Sequence, residues 1–332
     1  MNFISRILAL LLLLLAPPGF LSAQNQAPTK KGADLPWKDG ERVVFLGDSI
    51  TQDGRYVAMV ELYLWAQFPE RDIEIINLGV SGETVSGISE NPRPRGNVHG
   101  RLTRALSESK PDWVLVCYGM NDGIYHPPSV EIYQAYVKGM TELVKQARAT
   151  GAKIILMAPP VFDAKSRTED KLRGIDAEAF GYPMAYRHYN AVLRGFGDFT
   201  REQKADLYVD FQPSLLAYID QQRATNPNYR FGDGVHPDSG GHFTMALSVL
   251  EALGQNPQQA ERQLARLTGM NRFPGKPVKV TNRALFPKTM ARHQAFAAFW
   301  RGHSKKAESK GLKAAQQAAD EAEKEIRALL EK

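Results

Sequence analysis

The chain of 332 residues contains a single cysteine, Cys117. It therefore cannot close an internal disulfide, and its stability must come from a hydrophobic core. Cys117 stands inside the apolar run from Trp113 to Tyr118, which points to a small buried hydrophobe rather than a nucleophile. Spacings of Cys and His that would ligate a metal are missing, and so is any internal repeat. Long hydrophobic runs are missing too, with one exception. Arg6 precedes the near-continuous leucine run Ile7–Ala16, Pro17-Pro18-Gly19 breaks it, and Ser22-Ala23 supplies small residues for cleavage. Such a run is too short to span a bilayer comfortably but has the length of a signal peptide. Residues 1–23 are therefore expected to direct export and to be removed, leaving no stable membrane insertion. No cysteine follows the run, which argues against a lipid-modified N-terminus. The formal charge of +6 is spread along the chain. It fits weak attraction to anionic surfaces or polysaccharides and gives no nucleic-acid footprint.

What is present is ordinary globular material, 43% hydrophobic and 23% charged. Residues 24–39 are expected to form a flexible leader, 40–268 the main globular domain, and 269–332 a largely helical C-terminal extension. Short β-rich runs alternate with longer amphipathic stretches, the pattern of βαβ units and a parallel sheet. Strands are predicted at Arg42–Leu46, Ile73–Leu78, Trp113–Cys117, Lys153–Ala158 and Leu207–Asp210. Helices are predicted at Tyr56–Phe68, Val130–Thr150 and Ser239–Leu253. Gly151 is a natural helix stop, and Pro159-Pro160 ends the fourth strand. The polar stretch Asp163–Pro183 fits the rhythm poorly and reads as an excursion near the strand ends. Ser304–Lys332, rich in Ala, Glu and Lys, reads as a solvated helix, exposed or partly frayed.

Four places offer the parts of an acyl-transfer site: a hydroxyl, an imidazole, a group to hold the imidazole, and donors for an oxyanion. Gly47-Asp48-Ser49-Ile50-Thr51 follows the first strand and puts Ser49 at a strand end near a helix N-terminus. An N-cap serine in an ordinary strand-to-helix turn would read the same way. Asn77–Thr84 (NLGVSGET) follows the second strand, where Gly79 and Gly82 allow close backbone approach. Gly119-Met120-Asn121-Asp122-Gly123 follows the third, and the Asn121 amide is either an oxyanion donor or part of a plain turn. Asp233-Gly234-Val235-His236-Pro237 precedes the last helix. A carboxylate three residues ahead of a histidine can curl back onto Nδ1, leaving Nε2 to accept a proton. Pro237 suits the first position of the helix that follows. His99, His126, His188 and His242 lack such an Asp and Pro.

The four blocks, GDSIT, NLGVSGET, GMND and DGVHP, resemble in order and spacing those of the SGNH hydrolases, also called GDSL esterases. The resemblance covers Gly40 to Leu253, with Ile50 where the family name implies leucine. It implies an α/β fold, a flavodoxin-like three-layer α/β/α sandwich on a mainly parallel five-stranded sheet. It implies Ser49 as nucleophile, His236 as general base and Asp233 as its orienting partner. The Ser49 N–H, the Gly82 N–H and the Asn121 amide are the implied oxyanion hole, and no metal or cofactor is required. The expected substrate is a small-acyl ester, acetyl above all, on a carbohydrate polymer. Tyr125, Phe162, Phe180, Tyr182 and Tyr186 fall in loops or excursions that could line a sugar cleft, although each taken alone reads first as a packing residue. Two other readings are kept: a lysophospholipase or thioesterase for longer acyl chains, and a non-catalytic carbohydrate-binding protein on the same fold. Oligomeric state has no signal in the sequence.

Overall fold

The computed structural model describes residues 35–90, 95–272, 278–305 and 311–331. The expected signal peptide and most of the expected leader lie outside the described residues. Five strands form one sheet: β1 (Arg42–Gly47), β2 (Glu74–Asn77), β3 (Trp113–Cys117), β4 (Lys153–Met157) and, after two short strands, β7 (Leu207–Val209). The order is β2-β1-β3-β4-β7 and every pairing is parallel, with Val43 opposite both Ile75 and Trp113. This is the flavodoxin-like order, in which ligands bind where the strand sequence reverses. That reversal lies between β1 and β3. Helices flank the sheet on both faces, and such strands read as unbroken apolar runs: all five residues of β3 are buried.

The flanking helices are α1 (Ser49–Asp53), α2 (Arg55–Gln67), α3 (Leu102–Ser109), α4 (Val130–Ala149), α5 (Asn190–Glu202), α6 (Gln212–Thr225), α7 (Ser239–Ala252) and α8 (Pro257–Thr268). α4 is amphipathic, capped by Ser129, which accepts from Ile132 N, and closed by Arg148 in its last turn. α2 is different, because Tyr56–Trp65 is buried without a break. A helix that is apolar all round must be covered all round. One side of it meets α7 and α8; α9 (Leu285–Lys305) also packs on it, and α10 (Leu312–Leu330) packs on α9.

The tail is helical as expected, and most of α10 is solvated, but it packs rather than frays: α10 buries Ala319 and Ile326, and α9 buries Arg292 and His293. Both side chains reach Glu61 in the middle of α2, at 2.5 Å from Arg292 Nη1 and 3.2 Å from His293 Nδ1. Residues 34–332 form one compact unit. Within the Asp163–Pro183 excursion and just beyond it, β5 (Leu172–Arg173) and β6 (Ala185–Tyr186) pair as a small parallel sheet. Among the described residues, no helix is long and apolar enough to cross a membrane, and no group of three His, Cys, Asp or Glu is placed to hold a metal. Cys117 is buried, and burial pushes its thiol well above the usual range.

Candidate active site

The chain leaves β1 through a turn that only glycine permits. A Cβ on Gly47 would stand 2.2 Å from Thr51 Oγ1 and 2.9 Å from the Cys117 carbonyl. The next residue, Asp48, caps α1 by accepting from Ile50 N at 2.9 Å. Ser49 is therefore the first helical residue and not the cap, which settles one of the two sequence readings of this turn. Freed from capping, its Oγ lies 2.8 Å from His236 Nε2.

The other side of the imidazole meets Asp233, with Nδ1 2.9 Å from Oδ2. Asp233 Oδ1 accepts from the backbone N–H groups of Val235 and His236, at 2.9 and 2.7 Å. The carboxylate does curl back over its own loop. Pro237 does not begin a helix, however: α7 starts at Ser239, capped by Asp238, which accepts from Gly241 N. Arg55 ties this loop to α1 and α2. It donates to Pro237 O and Ser239 Oγ at 3.3 and 3.1 Å, and its Nε holds Asp53 at 2.7 Å.

Charge follows from these bonds. Burial acts to raise the Asp233 carboxyl, but hydrogen bonds from His236, Tyr182 and two backbone amides outweigh it and hold it well below the carboxylate range. The hydrogen bond to Asp233 raises His236 above its ordinary 6.5, with burial opposing. An ionised Asp233 requires a donor on Nδ1, so Nε2 is left as acceptor for the Ser49 hydroxyl. Asp48, buried below the site, is pushed up by desolvation to about 7.

The loop after β2 is hung between its neighbours. Val80 N donates to Gly47 O at 2.9 Å, and Ser81 N to Gln52 Oε1 at 2.7 Å. On the far side, Asp122 Oδ1 accepts from Val85 N and Ser86 N at 2.9 and 2.8 Å. Between those tethers Gly82 takes φ +73°, the left-handed region, where a side chain would cost roughly 1–2 kcal/mol. Asn121 is buried. Its Nδ2 donates to Glu83 O at 3.4 Å and its Oδ1 accepts from Tyr125 OH at 3.2 Å. Those two contacts fix which way the amide faces and leave one N–H uncommitted among the described residues.

Tyr125 reaches Asn121 through a strained turn, since Ile124 and Tyr125 have φ of +44° and +57°. Left-handed backbone at bulky residues costs about 1–3 kcal/mol each and gathers at functional sites. The structure thus brings Ser49, His236 and Asp233 together by direct hydrogen bonds. It links the loops of Ser49, Gly82 and Asn121 at the carboxyl edge of β1, β2 and β3.

Three of the five aromatic residues singled out in the sequence take the packing role that each alone suggests. Tyr125, Phe162 and Tyr186 are buried packing residues, leaving Phe180 and Tyr182 half-exposed. Among the competing histidines, His242 is buried and stacked on Tyr56, and desolvation pushes it down to about 3. His126 packs against Phe180 at 4.9 Å between ring centroids.

One participant was not readable as such. Tyr182 OH donates to Asp233 Oδ2 at 2.6 Å, adding a fourth side chain to the Ser49–His236–Asp233 line. Burial and that hydrogen bond push its own hydroxyl up to about 12. Arg167 braces it from behind, donating to Tyr182 O at 2.7 Å with its guanidinium 5.2 Å from the ring centroid.

Comparison with known proteins gives a consistent answer. The model of the GDSL-like lipase/acylhydrolase family matches residues 45–242. An acetylxylan esterase of Geobacillus stearothermophilus is 28% identical over 236 residues, 65% of this chain and 94% of that protein. An arylesterase of Vibrio mimicus is 24% identical over 207 residues, 59% of this chain and 80% of that protein. Among solved structures, a gut microbial diltiazem-metabolizing enzyme superposes with a TM-score of 0.51 at 22% identity, over 66% of this chain. That is a likeness of fold, and this chain spans about half the length of that structure, 48%. With the family model matching more than half of the chain, this protein belongs to the GDSL-like lipase/acylhydrolase family, the SGNH hydrolases, and is a carboxylic-ester hydrolase.

Proposed function

We propose that this protein is an exported serine esterase that removes short acyl groups, acetyl above all, from carbohydrate. The observation that carries the chemistry is the line from Ser49 Oγ to His236 Nε2 at 2.8 Å and from His236 Nδ1 to Asp233 at 2.9 Å. Ser49 Oγ attacks the ester carbonyl while His236 takes its proton, and the Ser49 N–H, the Gly82 N–H and the free Asn121 N–H receive the oxyanion. As the tetrahedral carbon collapses, the bond to the alcohol oxygen breaks and His236 returns the proton to it. Water then gives a proton to His236 and its oxygen to the acyl carbon, releasing the acid and restoring Ser49. Every step uses groups of this chain and water.

The carbohydrate assignment draws on the acetylxylan esterase, with which this chain shares 28% identity over nearly that protein's whole length. Export draws on the signal-peptide pattern of residues 1–23. A series of aryl esters from acetate to dodecanoate tests the acyl group, with Ser49→Ala as control. Acetate should be hydrolysed fastest, with rates falling beyond butyrate, and Ser49→Ala should lose at least about 10³-fold in kcat. Full activity on dodecanoate moves the assignment to longer acyl chains. Wild-type rates in Ser49→Ala sink the nucleophile.

A further inference from the structure

Asp233 and Tyr182 form one wall of a cavity of about 270 Å³ whose lining also includes Ser166, Arg167, Lys171 and Arg230. That volume lies near the small end of ligand sites, which run from roughly 300 Å³ upward, and suits one substituent rather than a chain. Three cations face it. The Lys171 ammonium makes no hydrogen bond or close ion pair among the described residues, the exposed Asp170 beside it in sequence feeling its charge only at longer range. Among the described residues Arg230 donates only to the Ser166 carbonyl, at 2.6 Å. Arg167 holds the carbonyls of Tyr182 and Asp233, and its buried Nε has no hydrogen-bond partner among the described residues.

Neighbouring arginines are different. Arg223 holds Asp163 at 2.5 Å, Arg95 holds Glu90, and Arg187 holds Glu169. The one carboxylate in the cavity wall, Asp233, is committed to His236, Tyr182 and two backbone amides. The cavity is therefore an excess of cation beside the reacting groups, with planar guanidinium donors suited to a carboxylate. A monoanion suits it better than a doubly charged phosphate, because Asp233 repels charge from the same wall.

We propose that this cavity is a subsite for a carboxylate carried by the glycan beside the esterified sugar. The subsite rests on the carbohydrate-ester reading, and the test separates the two. Full-length enzyme hydrolysing 4-nitrophenyl acetate is inhibited with three probes at matched ionic strength. They are a xylo-oligosaccharide bearing one glucuronic acid, the neutral oligosaccharide of equal length, and free glucuronate.

The acidic oligosaccharide should inhibit wild type at about tenfold lower concentration than the neutral one. The preference should fall to near parity in Lys171→Ala/Arg230→Ala, and should reverse in Lys171→Glu, a single exposed change that a folding defect does not mimic. Parity in wild type, or a preference that survives the double variant, overturns the subsite. So does free glucuronate as potent as the acidic oligosaccharide, which marks a site for small acids. Acetate release from acetylated forms of both oligosaccharides is measured alongside. Release with parity in inhibition removes the subsite alone. No release together with the acidic preference upholds the carboxylate site and removes the carbohydrate-ester reading.

Discussion

In the proposed mechanism Asp233 sets the proton chemistry of the site, and its four hydrogen bonds hold its carboxyl well below the carboxylate range. Because that charge raises His236 above 6.5, the imidazole is protonated, and unable to accept the Ser49 proton, until the pH exceeds that value. Activity should therefore fall as pH drops through an apparent pKa above 6.5. Tyr182 shares the carboxylate with His236 through its bond at 2.6 Å. Its removal leaves more negative charge for the imidazole to meet. In Tyr182→Phe, the acid limb of kcat/KM should move up by roughly half a pH unit, a fraction of the worth of a hydrogen bond to a charged group. An unmoved acid limb with a merely lower plateau would show that Tyr182 acts by packing alone. Ser49, Asp233 and His236 were legible because each stands in a short local block. Tyr182 was not, since 51 residues separate it from Asp233 and only the folding of the Asp163–Pro183 excursion brings them together.

At the scale of elements, the strands were legible for a simple reason: parallel strands covered on both faces are unbroken apolar runs. α3, α5, α6 and α8 went unread, and the packing of the helical tail on the core was missed, because its burial relies on few apolar residues. Arg292 and Arg327 instead lay their guanidinium groups 5.3 and 5.7 Å from the Trp65 ring centroid. The lone carboxylate in the apolar run of α2 was a visible clue that a partner had to exist, but Arg292 lies 231 residues further on. Burial works to raise the Glu61 carboxyl, and Arg292 and His293 more than offset it, so its folded pKa is depressed from the ordinary 4.5. A depressed carboxylate contributes stability that is present above pH 4.5 and is lost as pH falls through the folded value. Glu61→Gln should then cost about 3–5 kcal/mol at neutral pH, the usual penalty for breaking a buried pair. It should also flatten the loss of stability on acidification below pH 4.5. Urea unfolding across that pH window checks both, and a variant with the wild-type acid slope would show that Glu61 is not the titrating group.

For the whole molecule, the question is whether the last helices belong to the catalytic body. Residues 45–242 carry the family match, yet the core does not close there. Asn77 at the end of β2 donates to Thr51 O in α1 at 2.6 Å and lies 3.1 Å from His293 Nε2 in α9. The same α9 packs on α2, α3 and β2, so one helix backs the turn that carries Ser49 and covers the outer side of α2. Ending the chain after Gly269 would expose Trp65 and strand Glu61, a buried carboxylate, without Arg292 or His293. The desolvation left unmatched is several kcal/mol, comparable with the whole stability of an ordinary domain at roughly 5–15 kcal/mol. The shortened chain should therefore be insoluble, or should unfold without a cooperative transition, and should lose hydrolysis of 4-nitrophenyl acetate. Calorimetry with an ester assay decides it. A truncated protein that melts cooperatively near the full-length temperature and keeps its kcat would make the C-terminal helices an accessory to a self-sufficient hydrolase.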